Sequence, residues 1–180
     1  YSPRAFAGET HLIGVRMVRD EEKDAYRNLA RNEADQHEHY GCYPHASANA
    51  ETRGEAVFAA RNAIDGMTEN HSHGPWPYES WGINMRDDAQ IKVEFGRTVE
   101  TDRIVLYTRA DFPHDNYWTS GTFRFSDGSV LVMQLEKTDQ PQEIVFPVKK
   151  IEWLTLDELI KGDSPSPYPA LIEIEVWGRG

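Results

Sequence analysis

The run Ile91-Lys92-Val93-Glu94-Phe95 alternates apolar and charged side chains without a break. Successive strand residues point to opposite faces, so this spacing gives a strand with one buried and one wet face. Further apolar segments follow at Arg103–Thr108, Thr122–Phe125, Ser129–Leu135, Glu143–Phe146, Lys150–Leu156 and Ile172–Trp177. Upstream, His11–Val18 places Ile13, Val15 and Met17 on one face. Between two of these segments, Ser126-Asp127-Gly128-Ser129 reads as a hairpin turn, with Gly128 where a positive φ is tolerated. Many short strands with turn punctuation predict an all-β sandwich or barrel.

Helical signals are short. Glu21–Asn32 predicts two or three turns with Tyr26, Leu29 and Ala30 on one side, and the Ala-rich Glu55–Ala63 predicts one or two more. Asp157–Lys161 reads as another turn, ahead of a rigid loop over Gly162–Pro169. No repeat, low-complexity linker or second boundary divides the 180 residues, which suit one domain.

Charge narrows the partners. Asp and Glu number 30 against 19 Lys and Arg, a formal charge of −11. That balance disfavours the phosphate backbone of nucleic acids and anionic membrane surfaces, and suits neutral ligands or a carboxylate-bound cation. No apolar run is long enough to span a bilayer. Cys42 is the one cysteine, which rules out an internal disulfide and a thiolate zinc cluster and predicts a small packed side chain.

Three groups of motifs, in order, carry a family resemblance. Asn28-Leu29-Ala30 is followed by Ala46-Ser47-Ala48 and then by Asn62-Ala63-Ile64-Asp65-Gly66. Trp81 precedes the amphipathic Gln90–Phe95 with its closing Gly96. Ile104–Tyr107, the Ser126-Asp127-Gly128 turn and the terminal Glu173-Ile174-Glu175-Val176-Trp177-Gly178 complete the series. The chain resembles discoidin-like modules (the coagulation factor 5/8 type C, galactose-binding-like group) from Asn28 to Gly178. The resemblance implies a jelly-roll β-sandwich with one or two short helices, residues 28–178 forming the core and residues 1–27 an N-terminal extension with an edge strand. Glu33–Pro44 and residues 67–80 are longer than a minimal member needs.

The resemblance also implies a structural Ca²⁺. Such an ion takes six to eight oxygen ligands, and a tight Asp-Gly turn aims loop carbonyls at one point. Asn62, Asp65, Thr68 and Glu173 are the expected metal residues, with Glu173 matching the family's glutamate near the start of the last strand. From the residues alone, Asp65 capping its own turn and Glu173 on a solvated strand face is the competing reading.

Carbohydrate binding is the expected activity, and His71–Trp81 and Arg109–Trp118 are its candidate loops. Each mixes rigid aromatics with hydrogen-bonding side chains, as sugar recognition requires: a flat face for ring C–H groups and fixed donors and acceptors for hydroxyls. Trp76, Tyr78, Trp81, Arg109, Asp111, His114 and Trp118 are the expected ligand contacts. Arg109 matches a loop arginine that often contacts ligand in similar modules. Plainer roles stand beside these: Trp81 as core, Trp118 as loop packing, and Arg109 paired with Asp111 or Asp115.

Seven histidines include the pairs His37/His39 and His71/His73. Neither pair follows a zinc-protease pattern and no third ligand is evident, so no zinc site is expected. Carboxylates for glycosidic cleavage could be drawn from Asp111, Asp115 or Glu79, but acidic residues are plentiful and no nucleophile motif accompanies them. The expectation is a non-catalytic module that holds a larger extracellular or cell-surface protein near glycans. A protein-binding adhesion module of the same fold is the alternative. The chain begins at Tyr1 without an apolar leader and reads as a mature or excised piece.

Overall fold

A computed structural model describes residues 8–10 and 14–180. The described strands are β1 (Arg27–Asn28), β2 (His45–Ala48), β3 (Trp81–Gly82), β4 (Ile91–Thr108), β5 (Trp118–Phe125), β6 (Val130–Gln134), β7 (Gln142–Lys161) and β8 (Ala170–Arg179). All pairings are antiparallel, in the order β1-β8-β4-β7-β5-β6, with β2 also on β4 and β3 also on β8.

Two long strands let one hydrogen-bonded path form a sandwich. The first part of β4, Ile91–Glu94, pairs with β2 and with Trp153–Leu156 of β7. Its second part pairs with β8 and with an earlier stretch of β7. The register shifts between Glu94 and Val99, where Gly96 has a φ of +68°. Such irregularities bend a strand, so each half can serve a different layer. The segments Ile91–Phe95 and Arg103–Thr108, separate in the sequence pattern, are therefore one strand. Glu143–Phe146 and Lys150–Leu156 are likewise joined in β7, which also absorbs the turn expected at Asp157–Lys161.

The core follows the predicted alternation. Ile91, Val93 and Phe95 are buried while Lys92 and Glu94 are half-exposed. Against them pack Phe123 and Phe125 of β5, Leu154 and Leu156 of β7, and Ile174 and Val176 of β8. At the hairpin joining β5 and β6, Gly128 has a φ of +83° and Asp127 Oδ1 accepts the Ser129 N–H at 2.8 Å. Gly178 is required by a close approach: a Cβ there would lie 1.9 Å from the Glu100 carbonyl oxygen.

The N-terminal part departs from expectation. Of the proposed strand over His11–Val18, residues 11–13 lie outside the described residues, and the remainder is not a strand. Val15 and Met17 are almost fully exposed. The expected helix over Glu21–Asn32 shrinks to Asp20–Lys23. A helix this short gains little by itself, and Leu29 and Ala30 reach the core instead because the chain joins the sheet. Asn28 Oδ1 accepts the N–H groups of both Ala30 and Val176 at 3.0 Å. Three short 3₁₀ turns, at Thr52–Gly54, Ala56–Phe58 and Ala60–Ile64, replace the second predicted helix. Cys42 is exposed rather than packed.

Candidate functional site

The segment after β4 is held from beneath by a buried ion pair. Arg109 Nε lies 2.9 Å from both Asp115 oxygens, and Nη2 donates to Asp115 Oδ1 at 2.7 Å. Asp115 also accepts the Asp111 N–H at 2.9 Å and faces His114 Nδ1 at 3.0 Å. Buried Asn70 ties the neighbouring loop down, donating to the Thr108 and Asp139 carbonyls. The loop is thus rigidly built, since breaking any of these bonds would strand a buried polar group.

Beside this pair opens a partly enclosed cavity of about 220 Å³. Arg109, His73 and His114 line one part of it, and Phe58, Arg53 and Tyr168 another. His73 and His114 stack with centroids 4.3 Å apart at 5°, and His114 stacks in turn on Tyr168 at 5.6 Å. His73 Nδ1 lies 2.9 Å from Asp111 Oδ2. The lining combines aromatic surface with ring nitrogens and a guanidinium edge.

The expected ligand residues separate into three groups. His114 and Arg109 line the cavity and Asp111 braces its His73 wall. Arg109 is only 4% exposed and most of its fork is spent on Asp115, so its main role is to hold the loop. Trp76 and Tyr78 are half-buried and do not line the cavity. Trp81 and Trp118 are corrections: at 0% and 1% exposure they are core side chains without a face to offer a sugar. The Trp81 indole N–H is spent on the Ala50 carbonyl at 2.8 Å. The cavity's Phe58, Arg53, His73 and Tyr168 were not among the expected contacts. Tyr168 sits in the Gly162–Pro169 loop, where an aromatic among prolines was the available signal.

A second charged site lies between the Asp65-Gly66 turn and β8. Glu173 is fully buried; its Oε2 accepts the Gly66 N–H at 3.2 Å, and its Oε1 has no partner. Burial, with nearby Asp65 adding to it, pushes the Glu173 carboxyl well above its usual range. Asp65 Oδ1 accepts the Met67 N–H at 2.8 Å. Burial raises the Asp65 pKa to about 6, despite that bond, and the Glu79 charge adds to the rise. Arg31 is the neighbouring cation: a Cβ on Gly66, whose φ is +85°, would meet its Nε at 2.8 Å. Asn62 uses its amide nitrogen on the Ala56 and Ser80 carbonyls, and Thr68 is exposed. A buried carboxyl with an orphaned oxygen beside a half-buried one suits a hard cation: it would favour their charged forms and use that oxygen.

A family profile described as domain of unknown function DUF7402 matches residues 42–177. The chain belongs to that family. No curated protein matches it significantly. Among solved structures, chitosan-binding module 1 of a chitosanase/glucanase from Paenibacillus sp. IK-5 is similar at 23% identity and TM-score 0.58, over 84% of this chain and 98% of that one. The family 32 CBM of C. perfringens NanJ, in complex with galactose, is similar at 17% identity and TM-score 0.58, over 85% and 99%. The lectin domain of lectinolysin, complexed with Lewis B antigen, gives 19% identity and TM-score 0.61, over 85% and 97%. This DUF7402 chain therefore has the discoidin-like, galactose-binding-like β-sandwich fold.

Proposed function

We propose that the domain is a non-catalytic carbohydrate-binding module whose ligand seats in the cavity beside Arg109. The observation that carries this reading is the lining: Tyr168 and Phe58 offer aromatic surface, and His73, His114 and Arg53 offer polar groups around one opening. That combination suits the C–H faces and hydroxyls of a sugar. The volume is below the ~300–1,000 Å³ typical of pockets that enclose drug-sized ligands, so a single ring or chain end is the fitting unit. The structural neighbours that bind chitosan, galactose or Lewis B antigen support the same reading.

Binding rather than cleavage is favoured by what the acidic groups already do. Asp115 is fully engaged beneath the loop and Asp111 is bonded to His73. Asp115 is therefore not free to serve in a carboxylate pair across a glycosidic bond. The biological role we propose is targeting: an extracellular or surface protein carrying this module is held near its glycans, which raises effective concentration. A Ca²⁺ held by Asp65 and Glu173 would tie the last strand to an early loop.

A glycan array followed by calorimetric titration tests the reading. Tryptophan fluorescence is a poor reporter, because no tryptophan lines the cavity. Affinity is expected with Kd on the order of 0.1–1 mM, about 4–5.5 kcal/mol. If no saccharide binds at ~10 mM, well above that range, glycan binding is refuted.

A further inference from the structure

We infer that His73, Asp111 and His114 form a site for a divalent transition-metal ion of the zinc class at the edge of the cavity. One ligand atom from each of the three lies within 4.8 Å of the others. They come from two different loops, so sequence spacing gives no hint of the cluster. The adjacent His71 in the His71/His73 pair does not take part.

The local hydrogen bonds prepare the donors. An ionised carboxylate can only accept. His114 Nδ1 faces Asp115 Oδ1 at 3.0 Å, so Nδ1 carries the proton and the neutral ring keeps its lone pair on Nε2. Asp115 is itself fixed by Arg109. A carboxylate behind a histidine in this way orients the ring and raises its basicity as a ligand. His73 Nδ1 lies 2.9 Å from Asp111 Oδ2, and a cation entering between them would take the place of the Nδ1 proton, the neutral ring then carrying its one proton on Nε2.

The geometry requires a small closure. Tetrahedral zinc with bonds near ~2 Å spaces its ligand atoms about 3.3 Å apart. The His73 and Asp111 side chains are 41% and 32% exposed, which leaves them room to close on the His114 ring that Asp115 orients. Two imidazoles and one carboxylate suit zinc-class ions, whereas calcium prefers an all-oxygen shell. Three protein ligands leave a fourth position for water or for a ligand oxygen in the cavity. The inference rests on the residues of the cavity and is independent of whether a sugar occupies it.

Zn²⁺ titration of the full chain by calorimetry, in a non-chelating buffer with excess Ca²⁺ to fill any hard-cation site, tests this. One-to-one binding is expected, at least ~10-fold weaker in His73→Ala and in His114→Ala and unchanged in His71→Ala. Circular dichroism confirms that each variant is folded, and Co²⁺ should give the intense visible absorption of a tetrahedral site in the parent chain and in His71→Ala but not in His73→Ala or His114→Ala. Absence of one-to-one binding, binding in His73→Ala or His114→Ala as tight as in the parent chain, or a loss in His71→Ala matching that in His73→Ala would overturn the assignment. Saccharide binding measured in zinc-free buffer reports separately on the glycan reading, so either can fail without the other.

Discussion

The two charge clusters around a buried carboxyl, Arg109–Asp115 and Asp65–Glu173, solve one problem in opposite ways. Asp115 is completely enclosed, and its acceptors are met by a guanidinium, a backbone N–H and an imidazole. Glu173 is equally enclosed, yet one of its oxygens has no partner and the charge that acts on it most is another carboxyl, Asp65. Taking a charge out of water is costly unless it is paired and hydrogen-bonded. The first cluster is complete within the chain; the second gains most from a cation supplied from outside. The difference shows why a buried acidic group can be either a brace or a ligand, and why its partners decide which.

Arg109→Ala should cost the most stability. Removing one partner of a buried pair leaves Asp115 uncompensated, and a loss of about 3–5 kcal/mol is expected. Thermal melting should fall by on the order of 10 °C. A variant that melts like the parent would mean that Arg109 is not the brace. Glu173→Gln, by contrast, should leave the calcium-free protein no less stable, since it removes a carboxyl whose ionised form burial disfavours.

Calcium sharpens the other side. At a concentration a hundred times its Kd, Ca²⁺ should add about 2.7 kcal/mol to stability, raising the melting temperature by roughly 5–10 °C. Glu173→Gln should abolish that rise. No shift with the parent protein would remove the cation from Asp65 and Glu173.

The pH response of the calcium-free protein follows from the same groups. Asp65 has a folded pKa of about 6 against a reference of 3.8. The folded state therefore holds a proton that the unfolded chain releases, and stability is greatest below the reference value. It is lost as pH rises through about 6, by on the order of 1–3 kcal/mol. Glu173, also raised, extends the loss to higher pH. Denaturant midpoints from pH 4 to 8 check this, and added Ca²⁺ should flatten the slope; stability rising with pH would contradict the assignment. The smallest effect belongs to the cavity: Tyr168→Ala should weaken saccharide binding about 3- to 10-fold, the equivalent of 0.5–1.5 kcal/mol of aromatic contact. Trp76→Ala should leave binding unchanged, and equal losses would move the site towards the loop over residues 71–81.

Much of the architecture was legible because alternation is a local property. Ile91–Phe95 declares its buried face whatever it pairs with, and Ser126-Asp127-Gly128-Ser129 bends the chain with its own side chain and a glycine. Other elements depended on neighbours. Leu29 and Ala30 have helical spacing, but β8 captures the preceding residues and a short helix has little to resist it. The joining of two apolar segments in each of β4 and β7 depends on irregular pairing that no single segment encodes. Trp81 and Trp118 carry no local mark of their burial, which core packing alone decides.

By itself, the sequence determined an all-β sandwich, the order of its motifs, and the acidic turn at Asp65. Tertiary structure decided what each polar residue does. It turned Arg109 inward onto Asp115, buried Glu173 on what could have been a wet strand face, and brought His73 against Asp111 and His114 from another loop. The physical reason is that strand formation answers to nearest neighbours along the chain, whereas a charge or a ring nitrogen answers to whatever folding places within a few ångströms of it.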